Sequence, residues 1–198
     1  MKDILKERGH GDEAQYFRKQ DEKLLQKMRE RAALDEVAQA LADKLRVDNR
    51  ELLNRVLDLG LTRDTGTAIL LAPLVQVAWA EGSVSRRERE VIFEIAASRG
   101  IEAGSGAQAQ LEAWLERRPS DALFETALEV MKAGLEVLPA GEREERVREI
   151  VDACKRVAEA TGGGLARLLG MNSGIVGEET AVLDAIGAKL RSGGKSRE

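Results

Sequence analysis

One cysteine, Cys154, stands in 198 residues. That excludes an internal disulfide and makes a reducing, cytoplasmic setting the expectation. One histidine, His10, leaves no set of partners for histidine-based acid–base chemistry or a zinc centre. Neither a Ser/His/Asp nor a Cys/His catalytic set can be assembled, and an enzyme is not expected. No apolar run reaches the roughly 18–20 residues needed to cross a bilayer. The opening residues Met1 to Arg8 contain no apolar stretch of signal-peptide length. The net charge is −4 with both signs mixed, and no basic block marks a nucleic-acid footprint. Gly162-Gly163-Gly164 follows a helix and no strand precedes it, so neither a P-loop nor a dinucleotide fingerprint fits. It reads as a hairpin linker. Three prolines and 3% aromatics, with abundant Ala, Leu, Glu and Arg, point to an all-α chain.

The chain is organised around Ala68 to Glu88. Residues 68–80 are apolar on every side except at Gln76, and a helix of that kind must be buried all round. Pro73 lies inside it. A proline there removes the bond to the carbonyl of Ile69, at about 3 kcal/mol in a regular interior, so a kink or two short helices are predicted. Glu81-Gly82 makes a turn, and Ser85 with Glu88 forms an S-x-x-E capping box. Cys154 falls on the inner face of its helix and reads as an inert core residue.

Three regions are expected: a charged helical arm (1–47), a helical domain (48–191) and a disordered tail (192–198). Within the arm, Gly9-His10-Gly11 predicts a frayed end over 1–11 and a long helix from Asp12 to Arg46. Its first half carries only a narrow stripe of Tyr16, Phe17, Leu24, Leu25 and Met28, which suits a protruding helix or a two-stranded coil. Val37, Ala38, Leu41 and Leu45 are placed to dock on the domain. Asp48 and Glu51 resemble a capping box for a helix starting at Asn49, and Gly60 supplies its left-handed end. Further helices are predicted from Ser85 to Arg99, Ser105 to Arg117, Ser120 or Asp121 to about Leu135, Glu142 to Ala160 and 177–190, with a glycine-rich linker over 161–174.

Two segments look alike. Val77, Ala78 and Gly82 match Val157, Ala158 and Gly162; Glu88, Ile92, Ile95 and Ala96 match Glu179, Leu183, Ile186 and Gly187. Each is a helix, a glycine turn and a helix with glutamate in its first turn, the mark of two helix hairpins packed as a repeat.

At these residues a family resemblance enters. LAPLVQVAWAEGSVSRREREVI resembles the signature of TerB-like domains, found in tellurite-resistance proteins and in many uncharacterised bacterial proteins. Their pattern runs L-x-x-V-A-W-A-D-G-x-V-x-x-x-E-x-x-x-[IL]. VAEATGGGLARLLGMNSGIVGEETAVLDAI resembles the family's second hairpin. The resemblance spans about 60–190 and implies a bundle of about seven helices built on two hairpins. It further implies a non-enzymatic binding or scaffold module linked to tellurite or envelope stress. Family members are thought to bind a divalent cation (calcium, magnesium or zinc) through acids beside the two turns, which here are Glu81, Glu88 and Glu179. The chain departs from the pattern at Glu81, where aspartate is usual, at Thr161 in the second turn, and at Arg86 and Arg87 beside the first. Against the metal reading stands a structural one, in which Gly82 makes the turn and Glu88 completes the cap.

GDEAQYFRKQDEKLLQKM resembles the inhibitory segment of the ATP synthase inhibitor protein, through Glu13, Tyr16, Phe17 and Arg18. It implies an alternative function as an inhibitor of that enzyme. On physical grounds, adjacent aromatics on a polar helix are anchors for a partner's groove, for a twin's helix, or for the chain's own domain.

Overall fold

The computed structural model describes residues 2–42, 49–160 and 176–192. Among these residues the chain is all α, with eight α-helices and one 3-10 segment. They are α1 (Lys2–Ala42), α2 (Arg50–Asp58), the 3-10 segment Gly66–Leu71, α3 (Ala72–Ala78), α4 (Arg86–Ser98), α5 (Gly106–Glu116), α6 (Asp121–Glu136), α7 (Ala140–Ala160) and α8 (Val176–Arg191).

The apolar stretch around Pro73 is split in two. The 3-10 segment ends at Leu71, and α3 starts afresh with Pro73 in its first turn. A proline in the first turn gives up no helical hydrogen bond, because the amides there have no partner in the helix. The interior penalty is therefore avoided. Ala68, Ile69, Leu71, Ala72, Leu74, Val75, Val77 and Ala78 are all buried. α3 is the sheathed helix of the bundle: α4, α6, α7, α8 and the 3-10 segment all pack on it.

Local capping decides where the surrounding helices begin. The side-chain oxygens of Asn49, Ser85, Ser105 and Ser120 each accept from a backbone N–H three residues on. For α2 this corrects the expected Asp48/Glu51 box. The cap is Asn49, whose Oδ1 accepts from Leu52 N at 3.1 Å, so the frame lies one residue later. The other end of α2 is a Schellman turn: Gly60 N donates to Leu57 O (2.8 Å) and Leu61 N to Val56 O (3.3 Å). Gly60 takes φ +79° there, and the following Leu61 is buried. α7 starts at Ala140, ahead of the predicted Glu142.

The two predicted hairpins are α3–α4 and α7–α8. α7 lies against α3, α4 and α8, while α8 also touches α3 and α6. Most matched positions share the same fate: Val77 and Val157 are buried, as are Ala78 and Ala158, Ile95 and Ile186, while Ile92 is buried and its match Leu183 only half-buried. Gly187 stands where the first hairpin has Ala96. A Cβ there would meet the Arg191 guanidinium of the same helix at 3.1 Å and Val151 Cγ2 of α7 at 3.5 Å, the latter an ordinary packing distance.

α1 departs from expectation at its start. It is helical from Lys2 straight through Gly9-His10-Gly11, where the glycines predicted a frayed end. Glycine costs only about 1 kcal/mol per residue in a helix, and the charged turns on either side are good helix formers. Val37 is buried in the core, with Leu34 and Ala38 packed against it, and these fix α1 to α2 and the 3-10 segment. The predicted docking side chains Leu41 and Leu45, the 161–174 linker and the tail beyond Ser192 lie outside the described residues.

Candidate functional site

Glu81 and Glu88 lie on the α3–α4 turn. Gly82 makes that turn with φ +81°. Ser85 and Glu88 form a complete capping box: Glu88 N donates to Ser85 Oγ (3.2 Å), and Ser85 N donates to Glu88 Oε2 (2.6 Å). Glu88 is only 1% exposed. Burial pushes its carboxyl above the ordinary glutamate range, the Ser85 hydrogen bonds oppose that, and the neighbouring Glu81 charge adds to it. Glu81 itself is exposed. The turn thus brings together one buried, hydrogen-bonded carboxyl and one solvated carboxylate. Glu179 lies in the first turn of α8, and its side chain is outside the described residues. Among the described residues no group of three or more metal-ligating side chains converges.

The turn is tied down by groups that sequence reasoning did not identify. Trp79 Nε1 donates to Trp114 O (2.8 Å), and an Arg89 guanidinium nitrogen donates to Leu115 O (3.1 Å). Both acceptors are orphan carbonyls in the last turn of α5. Arg89 is therefore a strut between α4 and α5. Arg86 pairs with Glu90 on the exposed face of α4 at 2.9 Å. Nothing in the local sequence around Arg89 signals a partner 26 residues away.

One polar atom of the apolar stretch is left over: Gln76 Oε1 is buried with no hydrogen-bond partner among the described residues. Cys154 is fully buried, and burial pushes its thiol up to about 12. It is an apolar core residue with no thiolate chemistry at neutral pH.

The second candidate surface is the arm. Glu13, Tyr16 and Phe17 fall within α1, and their side chains lie outside the described residues; Arg18 is exposed. Every residue from Arg18 to Ala32 is exposed. Leu24, Leu25 and Met28 are 59%, 53% and 61% exposed, the exposed large apolar side chains among the described residues of the helix.

A third feature had no sequence signal. Asn49, Glu51, Leu52 and Arg55 of the α2 turn face Glu129, Lys132, Ala133 and Glu136 of α6 across a groove of about 320 Å³. Arg55 pairs with Glu129 and donates to Thr126 Oγ1 at 3.1 Å, fastening α2 to α6.

Fold and sites define the class: an all-α helical bundle carrying a long N-terminal helix that is exposed from Arg18 to Ala32. No helix among the described residues is long and apolar enough to cross a membrane. Compared with known proteins, the chain matches no family model, no curated protein and no solved structure.

Proposed function

We propose that this chain is a non-enzymatic, TerB-like binding module that engages a protein partner through its N-terminal helix. The observation that carries the proposal is the arm itself. Leu24, Leu25 and Met28 stand in water on a helix whose other end is anchored in the core. Ordered apolar side chains on an exposed helix are the pattern of helix-mediated recognition. Support for the TerB-like reading comes from the hairpin residues: an apolar α3, a Gly82 turn and Glu88 capping α4, with a second hairpin of the same burial pattern. A divalent cation at Glu81 and Glu88 belongs to the same proposal. It would have to compete for Glu88 Oε2 with the Ser85 amide, so Glu81 is the more accessible ligand. The link to tellurite or envelope stress rests on the resemblance alone.

A photo-crosslinking residue at position 25 of the full chain tests the arm. Capture of a protein, whether a second copy or another species, is expected; capture of nothing ends the reading. Calorimetric titration with Ca²⁺, Mg²⁺ and Zn²⁺ tests the cation, and an absence of heat together with an unmoved Tm removes it. The alternative function, inhibition of ATP synthase through Glu13, Tyr16, Phe17 and Arg18, predicts that the full chain slows ATP hydrolysis by that enzyme.

A further inference from the structure

Resting on the arm as a binding element, we infer that its occupant is the arm of a second copy of this chain, laid antiparallel along the same stripe in a two-stranded coil. Three observations meet in this assignment.

The first is direction. At about 100° per residue, Leu24, Leu25 and Met28 centre roughly 130° around α1 from Leu34, Val37 and Ala38, which pack on the chain's own core. Leu24 also stands about 15 Å along the helix from Leu34 at 1.5 Å per residue. α1 is helical throughout Lys2–Ala42, and the three stripe side chains are each more than half exposed. The chain's own domain leaves the stripe in water, and a second helix can lie along it without displacing the docked end of the arm.

The second is spacing. Asp21, Leu24, Met28 and Arg31 follow one another at steps of three, four and three residues. That alternation places side chains along the seam of a two-stranded coil, and all four are exposed. On the helical wheel Leu25 borders the seam on one side and Lys27 on the other.

The third is charge, and it selects the direction of the partner. The seam ends in opposite signs, Asp21 at one end and Arg31 at the other. In a parallel pair Asp21 would face Asp21 and Arg31 would face Arg31. In an antiparallel pair, the register that sets Leu24 against Met28 of the second copy also sets Asp21 against Arg31 of the second copy. Two-fold symmetry repeats both contacts, so two apolar layers lie between two layers of opposite charge. Leu25 meets its own counterpart near the axis. Lys27 does so on the other flank, where its long stem lets the ammonium turn into water. Among the described residues neither Asp21 nor Arg31 has an ion-pair partner within the chain.

Sedimentation velocity of the full chain across the micromolar range tests this, with thermal melts as the check on folding. The wild type should pass from monomer to dimer in that range. Asp21→Arg and, separately, Arg31→Asp each set like charges across the seam and should weaken the dimer roughly tenfold or more. The double variant carrying both changes makes the ends complementary again and should regain the dimer. Lys23→Asp makes the same change of charge on the far side of the helix and should leave the dimer as it was. A parallel coil predicts that both single variants are harmless, since like charges face each other before and after. A monomeric wild type, a dimer indifferent to the single variants, a double variant no tighter than the singles, or a loss with Lys23→Asp as large as with Arg31→Asp overturns the assignment. If the wild type is monomeric while a crosslinker at position 25 captures a different protein, the second copy is ruled out and the arm as a binding element survives. If nothing is captured, both fall.

Discussion

The segment from Ala68 to Ala78 and the outer half of α1 are both helical and both carry large apolar side chains, yet they lie at opposite ends of the burial scale. Leu74 is fully buried, whereas Leu24 is 59% exposed. The difference lies in what surrounds the apolar residues. Around Pro73 nearly every neighbour is apolar, so no face can be left in water, and the bundle closes on all of them. In α1 the apolar stripe is narrow and bounded by charge, so burying it would drag cations out of water. One region is held in the core by apolar packing; the other stays exposed.

The sharpest test of this contrast is a pair of truncations. Leu74→Ala should cost about 2–5 kcal/mol in chemical denaturation, as expected for a cavity in a sheathed helix. Leu24→Ala should change the stability of the monomer by no more than about 0.5 kcal/mol. Comparable losses at the two sites would mean that the arm packs on its own domain. Next in size, Ser85→Ala should cost about 1 kcal/mol, since it removes one half of the α4 capping box.

Pro73→Ala tests the sign of the proline's contribution. In the first turn of α3 its ring restricts the unfolded chain without losing a helical bond, and Pro73 is itself buried, so the substitution should destabilise by about 0.4–1 kcal/mol from the chain entropy with lost ring packing adding to it. A gain in stability would show instead that the proline strains a continuous helix.

The smallest expected effect is a pH dependence at Glu88. Its carboxyl is pushed above the ordinary range on folding, so the folded state holds that proton more tightly than the unfolded one. The stability contributed by the protonated form is complete below the unfolded value of about 4.3 and is lost as pH rises through the raised folded value. Glu88→Gln keeps an acceptor for the Ser85 amide but cannot ionise. Urea melts of the two proteins should therefore diverge with pH, the wild type losing ground to the variant as pH climbs out of the acid range and then holding a constant offset. Parallel curves would show that Glu88 titrates alike in both states.

Most of the fold was legible because its signals are local. Ser85 and Ser105 cap the helices they were expected to cap, Ser120 rather than Asp121 caps α6, and Gly60 closes α2 as predicted, since each acts within a few residues of itself. The Asn49 cap was misread by one position because Asp48 and Asn49 are both good caps, and adjacent residues compete on equal terms. The continuity of α1 through Gly9-His10-Gly11 was missed because glycine's penalty is small beside the propensity of the charged turns around it. At the candidate site the capping role of Glu88 was visible in the S-x-x-E spacing. Its burial was not, because that depends on what the rest of the bundle lays over the turn. Arg89 reaching Leu115 O and the pairing of Arg55 with Glu129 join residues 26 and 74 apart, and no local pattern encodes such partners.

By itself, then, the order of residues determined the helical class, an interruption at Pro73, the glycine turn with its capped helix, and a charged arm with too few apolar residues to be core. Those outcomes follow from propensity, capping and periodicity, which act over one or two turns. Only the tertiary structure decided which helices sheathe α3, that Glu88 is buried, that Arg89 and Trp79 close the end of α5, and that a groove opens between α2 and α6. Each needs helices distant in sequence to meet, and their meeting is set by how whole faces pack against one another.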